Sequence, residues 1–261
     1  MSERARGWRW VSTSLRVALA LPLAVAMIAP FIYMVATGLP RAGSALQTAV
    51  GHFVVNSAIV SLTVVAGQVL TSATAAYAFA RLRFAGRDHV FLAYLAVLTV
   101  PVILLVIPRF LIVDSLGWTD GYAGMISTEL VSITGIFFLR QCFRAMPRDL
   151  EDAARLEGAG EWTIFRRVVM PQAGPALATM AVLGFAEQWR SFLWPLVAVR
   201  SSDMQVVEVG IAGLRGAREL SGPDPMAGAL VAVLPLLILC IVGPKFFVRG
   251  IQVAAGMTPR E

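Results

Sequence analysis

Along this chain long apolar runs alternate with short segments that hold nearly all the charge. The runs fall at about residues 15–36, 52–79, 90–113, 122–143, 173–199 and 226–248. Each is close to or longer than the roughly 20 apolar residues a helix needs to cross a bilayer core. The pattern predicts an all-α integral membrane protein with six transmembrane helices. The second run is long enough to tilt or to pass beyond the membrane. Pro22, Pro30, Pro101, Pro108, Pro195 and Pro235 lie inside the runs; packed neighbours can satisfy the backbone groups that proline frees. The basic start "RARGWRW" and the small-residue "AVA" have the outline of a signal peptide, but the apolar run continues to Ala36. An uncleaved first helix is therefore expected, preceded by a cytosolic segment 1–14.

Composition agrees with this class: 57% of residues are hydrophobic and 15% charged, against about 25% charged in soluble domains. The net charge of +6 is distributed by side. With the N-terminus inside, the cytosolic segments hold sixteen of the 22 basic residues, as positively charged inner loops require. Both termini, including 249–261, are then cytosolic. No basic stretch is interleaved with stacking aromatics in a polar context, so nucleic acid is not an expected partner. Cys142 and Cys240 stand far apart in apolar runs, which excludes a disulfide framework and the usual zinc spacings. His52 and His89, at run boundaries without ligand spacing, read as structural.

One segment breaks the pattern. Residues 147–171, "PRDLEDAARLEGAGEWTIFRRVVMP", carry acids and arginines between the fourth and fifth runs, on the cytosolic side. Asp149 is placed to cap a short helix, with Asp152 as an imperfect capping-box partner. Leu150, Ala153, Ala154 and Leu156 give that helix a small apolar face, and Gly158 stands just past its end. A second helix starts at Gly160, with Trp162, Phe165, Val168 and Val169 at helical spacing. Pro171 marks the entry to the fifth span. Small side chains let a helix approach a partner's groove closely. Arg166 and Arg167 also suit a helix lying at the lipid interface, which the acids of "EDAA" oppose. Chemistry alone leaves docking and interfacial readings open.

The spacing of this segment resembles the "EAA" loop of membrane subunits of bacterial ABC importers: E-A-A, three residues, Gly, nine residues, I-x-L-P. Here Asp152, Ala153 and Ala154 are followed by Gly158 and, nine residues later, by Val168, Val169, Met170 and Pro171. Further stretches resemble the carbohydrate-uptake branch, in particular subunits similar to the smaller maltose-importer permease. They are Asn56-Ser57, "AYAFARLRFAGR", "IPRF", Leu116-Gly117, "FFLR" and "FFVRGIQVAAG", in that order. The resemblance implies the type I ABC importer permease fold, with the transmembrane domain at 52–248 and a coupling helix within 147–171. It implies two ATPase subunits, a second related permease subunit and an extracytoplasmic solute-binding protein, with lipid around the spans. ATP and magnesium would be held by the ATPases. This chain itself has no phosphate loop, no HExxH and no nucleophile elbow. The solute implied is a sugar or sugar derivative, with glycerophosphodiesters or another polar solute as the alternative. An ATP-independent secondary transporter of six spans is the rival class, distinguished by ATP dependence and co-purification with a separate ATPase.

Ionisable groups in spans are candidates for function. Glu129 is the one acid of the fourth run. Glu187 and Arg190, three residues apart in the fifth, either neutralise each other or line a solute path with Gln188 and Trp189. Where the family has Trp-Asn followed by a polar residue and an aromatic, this chain has Trp189-Arg190-Ser191-Phe192. An arginine there favours an acidic or phosphorylated solute. By the same resemblance the outer loop 200–225 is the expected contact for the binding protein.

Overall fold

The computed structural model describes residues 3–47, 49–216 and 225–243. The loop 217–224, the end of the sixth expected span, "FFVRGIQVAAG" and the tail 249–261 lie outside them. The described residues are helical, with no strand among them. Two helices carry the length of the fold. Helix α1, Glu3–Leu46, has 44 residues and spans about 66 Å at 1.5 Å per residue. It extends well past the expected run 15–36 at both ends. Helix α2, Ala49–Arg81, follows almost directly.

The third, fourth and fifth expected spans are broken. The third is α3, Arg87–Ala96, with a 3-10 turn Val97–Thr99, then α4, Val102–Ser115. The two halves meet at 100°. Pro101 has no N–H to donate and forces the preceding Val100 into an extended conformation, φ −79° and ψ 118°. The fourth is α5, Tyr122–Ser127, and α6, Ile133–Ala145, separated by an irregular stretch. The fifth begins with α8, Glu161–Ile164, a wide π-turn Phe165–Val169 and α9, Met170–Gln172, then bends by 75° into α10, Gly174–Trp189. It resumes after a gap as α11, Leu193–Ala198, whose Pro195 cannot continue a helix from before the gap. A short helix α7, Asp149–Leu156, lies between α6 and α8, and α12, Val207–Gly216, and α13, Pro225–Val242, complete the chain.

Among the described residues two helices are long and apolar enough to cross a membrane, and up to four if each bent pair counts as one span. Helix α2 is the axis of the packing: α6, α10, α12, α5 and α3 all lie against it. On its C-terminal half Ala73, Ala76, Tyr77 and Ala80 pack with Leu139, Phe143, Ile164, Phe165 and Met180. On its other half Val60 and Val64 pack with Val113, Met125 and Trp194. Small residues permit the closest approaches. A Cβ on Gly38 would meet the Met226 carbonyl oxygen at 2.8 Å, so glycine is what lets α1 lie on α13. Away from α13, α1 leaves Leu21, Leu23, Met27, Phe31 and Ile32 exposed, the face expected toward lipid or another subunit.

Candidate functional site

Helix α7 forms as a separate element because both of its ends are defined. Arg148 occupies the position before it and makes no side-chain cap. Asp149 is already helical, so the expected cap at Asp149 is not formed. Asp149, Glu151 and Asp152 stand instead in the first turn, where the positive end of the helix dipole favours acids. The C-terminus closes as a Schellman motif: Ala159 N–H donates to the Ala154 carbonyl at 2.9 Å and Gly158 N–H to that of Arg155 at 3.0 Å. Gly158 has φ +84°, in the left-handed region, so glycine is required by conformation rather than by space.

The outer surface of this element is apolar at points where water would be expected. Leu156 is 91% exposed, Trp162 66% and Leu150 61%, with Ala153 and Asp152 exposed beside them. Ala154 is half-buried against the core around the C-terminal half of α2, and Pro171 is exposed in α9.

The inner surface is polar and ordered. Glu151 is 2% exposed and pairs with Arg81, the last residue of α2, at 2.8 Å. The same guanidinium donates to the Met146 carbonyl at 3.0 Å. Arg155 reaches Asp152 at 2.9 Å and Glu161 at 3.1 Å. Tyr77, one turn before Arg81, donates its hydroxyl to Glu161 at 2.6 Å. Bonding to Arg155, and then to Tyr77, holds the Glu161 carboxyl below the ordinary carboxylate range. Sequence reasoning missed Arg81, Tyr77 and Glu151 as partners. The signal available was one of several acids beside Asp152 and one of several arginines just past the second run, with nothing to join positions so far apart.

A second polar centre sits at the gap between α5 and α6. Glu129 pairs with Arg109 of α4, the arginine of "IPRF". Arg109 also donates to Thr128 at 2.7 Å and lies 3.6 Å from the centre of the Trp194 ring. Gln188 reaches the second Glu129 oxygen at 3.4 Å. The gap's carbonyls meet side chains of α2: Gln68 donates to Glu129 at 2.9 Å, Thr71 lies 2.8 Å from the Leu130 oxygen and Ser72 3.3 Å from that of Ser132. Gly67 leaves room for Leu130, whose side chain a Cβ would meet at 2.5 Å. A lone acid and a lone arginine in neighbouring apolar runs expect each other as partners; that signal was present.

The remaining solute-path candidates diverge. Trp189 is buried, donates to the Ala232 carbonyl at 2.9 Å and stacks on Phe185, joining α10 to α13. Glu187 is exposed and borders a small cleft with Gln68, Ser132, Thr134, Gly135 and Gly184. Arg190 is exposed just beyond the end of α10, and no ion pair joins it to Glu187 among the described residues. The helix stops between them, so the one-turn relationship is not realised.

At the opposite end of α2, Asn56 donates to the carbonyls of Asp203 and Gln205 at 2.7 and 3.0 Å and accepts from Tyr122 at 2.6 Å. Asp120, at φ +58°, accepts from the Arg200 and Ser201 amides at 3.0 and 2.8 Å.

An all-helical fold with broken spans and a separate, solvent-facing helix α7 is the arrangement to be matched. The fold matches a solved bacterial ABC transporter involved in the import of the acidic polysaccharide alginate, with a TM-score of 0.78 at 20% identity over 95% of this chain and 99% of that one. Residues 68–248 match the family described as binding-protein-dependent transport system inner membrane component, and the chain belongs to it. An arabinooligosaccharide transport system permease protein of Halalkalibacterium halodurans is 35% identical over 76% of this chain and 71% of its own length. A lactose transport system permease protein of Rhizobium radiobacter is 30% identical over 75% and 71%. An sn-glycerol-3-phosphate transport system permease protein of Brucella abortus is 28% identical over 75% and 70%.

Proposed function

We propose that this subunit forms half of the translocation path of a sugar or sugar-derivative importer and receives its drive through α7. The observation that carries the reading is the pairing of an ordered inner surface with an exposed apolar outer one, in a loop whose Asp152-Ala153-Ala154, Gly158 and Pro171 spacing resembles the coupling loop. Two ATPase subunits bind the cytosolic face and hold ATP and magnesium, and one of them receives α7. Six passes across the membrane are supplied by α1, α2, the bent pair α3–α4, the interrupted pair α5–α6, α10 with α11, and α13. Both termini lie in the cytosol. A second related permease closes the path, and the binding protein meets the outer loop tied down by Asn56 and Asp120. ATP binding moves the docked helices as rigid bodies and turns the cavity outward. Glu129, Glu187, Gln188 and Arg190 border the solute path, with Trp189 holding its wall from inside. The sugar assignment is supported by the arabinooligosaccharide and lactose relatives. In proteoliposomes carrying the complete importer, Gly158→Pro, which removes a closing hydrogen bond of α7, abolishes transport and solute-stimulated ATP hydrolysis while membrane insertion is unchanged. Normal transport by this variant would remove the docking role.

A second reading, an anionic sugar derivative or phosphodiester, is favoured by an exposed Arg190, where the resemblance implies asparagine, and by the sn-glycerol-3-phosphate permease among the relatives. Arg190→Ala then weakens uptake of anionic solutes selectively; equal loss for neutral and anionic solutes assigns Arg190 to structure.

A further inference from the structure

The reading of α7 as the docking helix leaves open how its movement reaches the spans. The three-residue link Met146-Pro147-Arg148 that joins α6 to α7 is too short and irregular to act as a lever by itself. The side chains give another route. Arg81 and Glu151 are both 2% exposed and bonded at 2.8 Å, which ties the first turn of α7 to the last residue of α2. Around them Tyr77, Glu161 and Arg155 close a second tie from α2 through α8 back to α7.

A buried ion pair is a poor device for stability alone, because the attraction only offsets the cost of removing both charges from water. This pair is not arranged to minimise that cost. Among the described residues Arg81 Nε and Glu151 Oε2 have no hydrogen-bond partner, and Glu151 Oε2 has only a longer ion pair to Arg155 at 3.8 Å. What such a pair does supply is registry: it holds two elements in one relative position and penalises every other. Helix α2 is also the element best placed to use that registry. Its side chains fasten the gap at Glu129 in mid-membrane and the loop at Asp203 and Gln205 beyond it.

We propose that Arg81 and Glu151 are a positioning pair that clamps the docking helix to α2. Displacement of α7 is thereby delivered to α2 and along it to the gap and the outer loop. The proposal rests on the docking role of α7.

The test uses the complete importer with its ATPase subunits and binding protein in proteoliposomes. Three quantities are measured: ATPase subunits retained on purification, stimulation of ATP hydrolysis by loaded binding protein, and solute carried per ATP. Glu151→Gln and Arg81→Gln are expected to retain the ATPases but to lose at least about fivefold in stimulation, the lower end of ordinary coupling between sites. The exchange variant R81E/E151R restores it. Full stimulation in both single variants overturns the clamp. Loss that the exchange does not restore also overturns it and assigns the pair to folding. Leu156→Asp separates this inference from the docking reading. Release of the ATPases by Leu156→Asp upholds docking whatever the pair does; retention with normal transport removes docking and the clamp together.

Discussion

Gln68, midway along α2, donates its side-chain amide to the carbonyl of Glu129 across 2.9 Å, inside the gap between α5 and α6. Irregular backbone at membrane depth persists only where protein or a water-filled cavity satisfies it. Gln68→Leu keeps a similar volume and removes the donor. The carbonyl it abandons costs roughly 1–3 kcal/mol. The expected result is a lower unfolding midpoint of the purified protein in detergent, and an unchanged midpoint would show that the gap does not depend on Gln68.

Gly158 presents a conformational requirement that can be measured apart from any clash. At φ +84° with open space around a notional Cβ, alanine brings only backbone strain, about 1–2 kcal/mol. Asparagine tolerates the left-handed region better. Transport is therefore expected to fall in the order glycine, asparagine, alanine, with equal amounts of each variant in the membrane. An alanine variant as active as the wild type would mean that α7 can end in another way.

The Glu161 carboxyl is held below its ordinary range by Arg155 and then by Tyr77. A depressed carboxyl stabilises the folded form above the unfolded-state pKa of about 4.3 and loses that contribution as pH falls through the folded value. The stability difference between wild type and Glu161→Gln is thus present at neutral pH and shrinks below about pH 4. Thermal midpoints of the two proteins from pH 7 to 3 read it directly. A difference that stayed constant with pH would assign the effect to packing.

The long helices were legible because they depend on one property, continuous apolar character. The run expected at 52–79 is α2, Ala49–Arg81. Gly158 was legible for a similar reason: a helix of alanines and acids ending before glycine has few alternatives. The bend at Val100 had a visible cause in Pro101. The gap after Ser127 did not. It contains neither proline nor glycine, and its carbonyls are satisfied by Gln68, Thr71 and Ser72 on a different helix.

The misplaced details share one origin: local spacing was read where tertiary partners decide. Asp149 has the chemistry of a cap, yet the helix has already begun there. Glu187 and Arg190 have the spacing of a pair, yet α10 ends at Trp189. Glu129 finds its cation on α4, and Glu151 finds its own at the end of α2. Distances of tens of residues along the chain leave no trace in a periodic pattern.

The exposed side chain of Leu156, with Leu150 and Trp162 beside it, bears on how the complex is made as well as how it works. If α7 docks as proposed, a subunit without its ATPase would carry this apolar patch into water, where such patches invite association and chaperone or protease attention. Docking would cover the same atoms. The surface proposed to receive the drive would then also mark the unassembled chain, and would tie the number of surviving subunits to the number of ATPases available to cover them.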